Sequence, residues 1–191
     1  MLISSRGAEV AMPGSGTPEV HRARRPSSPL AGPYGHPFHP IMVTLPVGAF
    51  VSSLVFDVLT LTRAHGLPYL VDGAYWLIGV GLVGALLAAV FGLMDLRVIP
   101  RRTPAFRTAV KHVALNALVL SLFLVGFLWR AGDHLELEKT RWGQLALSSV
   151  AVSLLVVSAW LGGTLVYRFG VRVAAEHTQA DSLRSESRAG P

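Results

Sequence analysis

Four long apolar stretches constrain this chain more than any other feature of its 191 residues. They occupy residues 41–62, 73–96, 112–129 and 143–167. Each has about the 18 to 25 residues that a helix needs to span the hydrocarbon core of a bilayer. A helix also satisfies its own backbone hydrogen bonds, as lipid requires. Because short loops join the stretches, the pattern predicts an all-α, polytopic membrane protein, an antiparallel four-helix transmembrane bundle in contact with the lipid bilayer.

The composition agrees with this prediction and excludes other classes of protein. Hydrophobic residues make up 51% of the chain and charged residues only 15%, whereas about a quarter of the residues in soluble domains are charged. A soluble enzyme or a nucleic-acid-binding protein is therefore not expected. The chain has no cysteine, which excludes disulfides, thiolate-bound metals and thiol catalysis. No nucleophile motif or phosphate-binding glycine loop indicates a hydrolase.

The remaining residues divide the chain into a membrane domain and two tails. Residues 1–35 are rich in Pro, Gly, Ser and Arg, and residues 174–191 are polar. Neither segment has the apolar residues that a packed core needs, so we expect both to be disordered. Residues 36–173 form the predicted transmembrane domain.

The positive charges predict the orientation of the bundle in the membrane. Thirteen of the 17 Lys and Arg residues lie in the two tails and the second loop, and four lie in the first and third loops. Because cytoplasmic segments carry the excess of positive charge, both termini are expected in the cytoplasm. Aromatic residues mark the opposite interface, as an aromatic belt does: Tyr69, Tyr75, Trp76, Trp129 and Trp142.

Polar side chains converge at the predicted cytoplasmic end of the bundle. Helix direction alternates, so this end receives the starts of the first and third helices and the ends of the second and fourth. Ionisable groups within membrane spans are costly and are therefore candidates for function. The residues expected there are His36, His39, Asp95, His112, Asn116 and Trp160.

A b-type haem is one cofactor that this cluster could hold. Histidines on facing helices of a bundle can be the axial ligands of a haem, here His39 and His112, with His36 as the alternative ligand. Asn116, one turn after His112 on the same face, would orient an imidazole, together with the Asp95 carboxylate. Trp160 would pack near the haem ring.

Three other interpretations remain open. A divalent metal ion is the alternative cofactor, because imidazole and carboxylate suit zinc, iron or manganese. Its ligands would be His36, His39, Asp95 and His112. The cluster could instead bind nothing and fix helix packing in a non-catalytic subunit or scaffold. A transporter is disfavoured, because the polar residues lie near helix ends and no internal repeat is visible.

Two acidic residues also have purely structural interpretations. Asp57 lies roughly 27 Å from His39 along a helix, so it belongs to the opposite end of the bundle. There we expect a structural hydrogen bond or an ion pair near Arg63. Asp95 could pair with Arg97 or cap its helix.

Four motifs resemble those of one bacterial membrane-protein family. They are Gly35-His36-Pro37-Phe38-His39-Pro40, Phe91-Gly92-Leu93-Met94-Asp95, Lys111-His112 with Asn116, and the closing segment 160–171. In this order, over residues 35–173, they resemble the family catalogued as domain of unknown function 2231. The family has an acid where this chain has Thr164, which departs from the pattern.

The resemblance implies a fold and a setting, and it implies no established activity. It implies the four-helix fold and a place in the bacterial cytoplasmic (inner) membrane. Some relatives join this domain to Rieske-type or cytochrome-type redox domains, which implies a place near membrane electron transfer. The partners would then be membrane redox proteins or further copies of the chain. An electron-transfer or accessory subunit is favoured over a stand-alone enzyme.

Overall fold

The computed structural model describes residues 18–62 and 66–182, and within these ranges it contains helices and no strands. Four helical segments are long and apolar enough to cross a membrane: Phe38–Thr62, Pro68–Leu96, Pro104–Arg130 and Trp142–Arg168. The predicted all-α fold with four membrane-spanning helices is therefore confirmed.

The described elements follow one another with short connections. Before the first span lie α1 (Pro18–Arg24) and a 3₁₀ turn (Pro29–Ala31). The first span consists of α2 (Phe38–Met42) and α3 (Thr44–Thr62). The others are α4 (Pro68–Leu96), α5 (Pro104–Arg130) and α6 (Trp142–Gly163), which continues as a π-helical turn (Thr164–Arg168). The short α7 (Glu176–Ser182) is the last described element.

The helices extend beyond the apolar stretches that predicted them. α4 begins at Pro68 rather than at residue 73, and α5 begins at Pro104 rather than at residue 112. Proline fits the first turn of a helix because its missing N–H would have no partner there. The Thr103 hydroxyl caps α5 by accepting a hydrogen bond from the backbone N–H of Phe106 at 3.1 Å. The starts of these helices are therefore set by proline and by local capping, and hydropathy alone does not predict them.

The four spans pair as two helical hairpins. α3 packs mainly against α4, and α5 packs mainly against α6. We call residues 38–96 the first hairpin and residues 104–168 the second. Contacts of α4 with α5 and of α3 with α6 close the bundle. We call the end with residues 18–37 and 97–103 the tail end, and the other the far end.

The core of the bundle is small and apolar. Its buried residues come from all four spans: Phe50, Ile78, Val119, Phe123 and Ala151. The rings of Phe50 and Phe123 stack with centroids 3.8 Å apart and planes at 5°. Many large apolar side chains elsewhere on the spans are exposed. This outward apolar surface is what lipid, rather than water, would cover.

The folded unit begins before residue 36, where the sequence placed its start. Arg172 is buried and donates two hydrogen bonds through Nη2, to the carbonyls of Ala31 at 2.9 Å and Gly32 at 3.1 Å. These bonds tie the segment before the first span to the segment after the last one. The rest of the two predicted tails, residues 1–17 and 183–191, lies outside the described residues.

Candidate functional site

His39 and His112 meet between the two hairpins near the tail end. His39 lies on α2 and His112 on α5. Their imidazole centroids are 6.5 Å apart and the ring planes are at 86°. Both side chains are half-buried. The structure therefore brings together the two residues that the sequence placed at the centre of the cluster.

Each imidazole is held by a main-chain carbonyl of the second helix in its own hairpin. Nδ1 of His39 lies 2.9 Å from the carbonyl oxygen of Ala88. Nδ1 of His112 lies 2.9 Å from the carbonyl oxygen of Ser158. A ring nitrogen can bond to a carbonyl only by donating its N–H. Both protons are therefore assigned to Nδ1, and the lone pair of each imidazole is on Nε2.

A glycine lies against each imidazole. Gly92 follows Ala88 by one helical turn, and Gly162 follows Ser158 in the same way. A Cβ at Gly92 would lie 2.9 Å from Cε1 of His39, and a Cβ at Gly162 would lie 3.2 Å from Cε1 of His112. Both distances are tighter than ordinary contacts, so the absence of a side chain lets each ring approach the helix. Nothing in the sequence alone identified these carbonyls and glycines as ring contacts.

We expect Gly92→Ala to lower the free energy of unfolding by about 1–3 kcal/mol. The added methyl group would push the His39 ring away from the Ala88 carbonyl. The matched control is Gly48→Ala on α3, where no atom lies within 4 Å of the new Cβ and alanine favours the helix. Thermal unfolding in detergent measures both variants, and equal effects would contradict the steric explanation.

Asn116 also lies at the site, as its spacing from His112 predicts. Its Nδ2 donates to the His112 carbonyl oxygen at 2.9 Å. The same Nδ2 lies 3.4 Å from Nδ1 and 3.2 Å from Nε2 of His112, so the amide lies over the face of the imidazole.

Trp160 and His36 do not join the histidine pair. The Trp160 side chain is 79% exposed and does not pack against the histidine pair. Ser158 faces the core, and a residue two positions later on a helix points to the other side. His36 precedes α2 and is exposed, with its backbone N–H bonded to Pro33 in a turn.

Asp95 forms an ion pair with an arginine outside the predicted site. Its Oδ1 lies 2.9 Å from Nε of Arg172, so its ion-pair partner is Arg172 and not Arg97, which was one of the two structural roles left open by the sequence. Arg172 reaches it because the segment after the last span folds back under the bundle. Within residues 18–62 and 66–182, no three His, Asp or Glu side chains are grouped so that they could hold a metal ion. The predicted set of His36, His39, Asp95 and His112 is therefore not assembled.

A second polar cluster is buried at the far end. Arg130, the last residue of α5, donates Nη1 and Nη2 to the two carboxylate oxygens of Asp57 at 3.0 and 2.7 Å. The two side chains are 1% and 0% exposed. Thr140 donates its hydroxyl to Asp57 at 2.8 Å, and Arg130 also donates to the Ser148 hydroxyl at 3.1 Å. One charge pair thus links both hairpins.

The sequence placed Asp57 at the correct end of the bundle and predicted a hydrogen bond or an ion pair for it. Arg63 lies outside the described residues, and the ion pair that the structure shows is with Arg130. Arg130 was counted among the loop charges because it follows an apolar stretch directly. A signal was available, since one span carried an acid and another ended in a base at the same end.

Four apolar helices around buried polar pairs define a multi-pass helical membrane protein. The chain belongs to the family described as predicted membrane protein, DUF2231, whose profile matches residues 35–175. The family resemblance seen in residues 35–173 is thereby confirmed. No curated protein and no solved structure matches the chain.

Proposed function

We propose that the protein is a membrane redox component that binds one b-type haem between His39 and His112. The matched pair of hydrogen bonds from Nδ1 to a main-chain carbonyl carries this proposal. Metal-bound histidines characteristically donate their other ring N–H in this way, which fixes the tautomer and makes the ligand more basic. Both Nε2 lone pairs would then be directed to the iron.

The separation of the two rings supports the same assignment. A metal held by two imidazoles at about 2 Å each, a distance typical of histidine ligands, would place their ring centroids up to roughly 6 Å apart. The centroids of His39 and His112 are 6.5 Å apart. His39 and His112 are therefore close enough to hold one iron together.

The chain's own residues would hold and orient the ligands, and a bound haem supplies reversible one-electron chemistry. The carbonyls of Ala88 and Ser158 keep each proton on Nδ1 and fix the direction of each ring. The Asn116 amide, bonded to the His112 carbonyl, would support the imidazole from one face. Because the two hairpins contribute one ligand each, a haem would also join them.

The haem and metal content of the full chain tests this proposal. The protein would be purified in mild detergent from cells supplied with a haem precursor. We expect a Soret band, a reduced α band and one haem per chain. Stoichiometric metal without haem would instead assign the two histidines to a divalent ion. Neither haem nor metal would reject both cofactors and leave the scaffold function.

We propose in addition that the protein lies in a bacterial inner membrane with both termini in the cytoplasm. The support is the excess of Lys and Arg in the tails and in residues 97–111, read by the positive-inside rule. The histidine pair would then lie near the cytoplasmic face, within reach of redox partners or of further copies of the chain. A reporter fused after Pro191 should read cytoplasmic and one inserted near Glu136 external; the reverse pattern would contradict this orientation.

A further inference from the structure

The two hairpins carry corresponding residues at corresponding places, a repeat that the sequence alone did not reveal. Three pairs of residues are each separated by 73 positions: His39 and His112, Phe50 and Phe123, and Asp57 and Arg130. The first member of each pair belongs to the first hairpin and the second member to the second. α2 and α3 together therefore correspond to α5.

Contacts inside the hairpins repeat as well. His39 bonds to a carbonyl 49 residues later, and His112 bonds to one 46 residues later. In both hairpins the residue one turn after that carbonyl is the glycine that touches the ring. At the far end each hairpin places an aromatic ring against a glycine: Phe56 against Gly73, and Trp129 against Gly143.

Each of the three pairs also meets across the interface between the hairpins. The imidazoles lie 6.5 Å apart, the phenyl rings stack at 3.8 Å, and the carboxylate and guanidinium bond at 2.7 Å. Corresponding residues that contact each other are the mark of a two-fold interface between like subunits. The bundle is therefore built like a dimer of hairpins within one chain.

Only one of the three layers distinguishes one hairpin from the other. The histidine and phenylalanine layers contain the same residue twice, so two copies of the first hairpin could form them equally well. Asp57 and Arg130 carry opposite charges at corresponding positions, and both are buried. Association of like hairpins would bury two carboxylates or two guanidinium groups against each other, which is strongly unfavourable.

We propose that Asp57 and Arg130 form a pairing determinant on the hairpin surface. Its partner is the other hairpin of the same chain, which carries the opposite charge at the corresponding position. Buried polar contacts select partners in this way in coiled coils, where they exclude the wrong association. The proposal does not depend on haem binding.

The surroundings of the pair accept the two charges in either order. The Thr140 hydroxyl donates to Asp57, and the Ser148 hydroxyl accepts from Arg130. A hydroxyl group can both donate and accept, so each can serve the exchanged residue. We therefore expect the chain that combines Asp57→Arg with Arg130→Asp to accumulate and fold like the parent.

The test uses the two single exchanges as separate full-length chains. The Asp57→Arg chain has arginine at both positions, and the Arg130→Asp chain has aspartate at both. Each alone would bury like charges and should accumulate to less than about a tenth of the parent level. Co-expression should restore both chains to at least about half of the parent level as a one-to-one heterodimer, because each first hairpin finds its opposite charge in the other chain.

Affinity tags report which chains have paired. With different tags on the Asp57→Arg chain and the Arg130→Asp chain, purification through either tag should retain both chains in equal amounts.

Three results would overturn the proposal. Normal accumulation of either single variant would show that like charges are tolerated. Failure of the doubly exchanged chain would show that the two positions are not equivalent. Folding of that chain without recovery on co-expression would show that the charges do not direct hairpin pairing. Two differently tagged Asp57→Arg chains are the matched control and should not recover.

Discussion

Replacing His112 by alanine is expected to lower the haem affinity of the protein by about a hundredfold or more, since even partners that only orient a metal ligand are worth 10- to 100-fold. His39→Ala should have the same effect, because the two imidazoles make equivalent contacts from the two hairpins. The haem content of the purified variants, measured against the amount of protein, gives the result directly.

His36→Ala is the matched control for the two ligand variants. His36 is an exposed histidine three residues before His39, and it should retain the full haem content. Loss of haem from the His36 variant with retention in the His39 variant would show that the axial ligand was misassigned. Full haem in both the His39 and His112 variants would exclude the proposed site.

Replacing Asp57 by alanine is expected to lower the free energy of unfolding by about 3–5 kcal/mol, because the Arg130 guanidinium would remain buried without its counter-charge. The combination Asp57→Leu with Arg130→Met should recover most of this loss, since apolar residues of similar volume often replace a buried ion pair without cost. Denaturant or thermal unfolding in detergent measures both effects.

An ion pair closer to the surface serves as the comparison for Asp57. Arg141 and Asp133 lie 2.8 Å apart with side chains 53% and 18% exposed. Asp133→Ala should therefore cost less than about 1 kcal/mol. Losses of equal size at Asp57 and Asp133 would contradict a special role for the buried pair. The apolar double variant is then compared for both properties of the pair. If it recovers stability but not hairpin selectivity, the charges of Asp57 and Arg130 are needed to select the partner hairpin and not to stabilise the fold.

The sequence predicted the spans well because a helix that crosses a bilayer must be long and apolar, and both properties can be read directly from the sequence. It predicted their ends less well. α5 starts at Pro104 because the Thr103 hydroxyl caps it, and eight residues of helix therefore precede the apolar stretch. A helix can continue where charged side chains reach the headgroups, so hydropathy underestimates its length.

The sequence predicted how deep in the membrane the candidate site residues lie, but it did not predict which side of each helix faces the bundle core. Alternating helices bring His39, His112 and Asn116 to one end, and the structure places all three together. Trp160 has a suitable depth but lies on the opposite side of α6 from Ser158, and it is exposed. Depth follows from topology, whereas the side of a helix that faces the core depends on how the helices pack.

The internal repeat escaped the sequence analysis for a related reason. Few positions are identical between the hairpins, and the most informative pair, Asp57 and Arg130, is chemically opposite. Equal spacing becomes meaningful only when the corresponding residues are seen to touch. Arg172 was missed similarly, because its contact with Asp95 depends on a chain reversal after the last span.

Ligation of one haem by His39 and His112 is tested most directly by the electron paramagnetic resonance spectrum of the oxidised full chain. Two histidine ligands on one ferric haem should give a low-spin signal. That signal should be lost in both His39→Ala and His112→Ala. A high-spin signal from the parent protein, or a low-spin signal that survives in both variants, would contradict ligation by this pair.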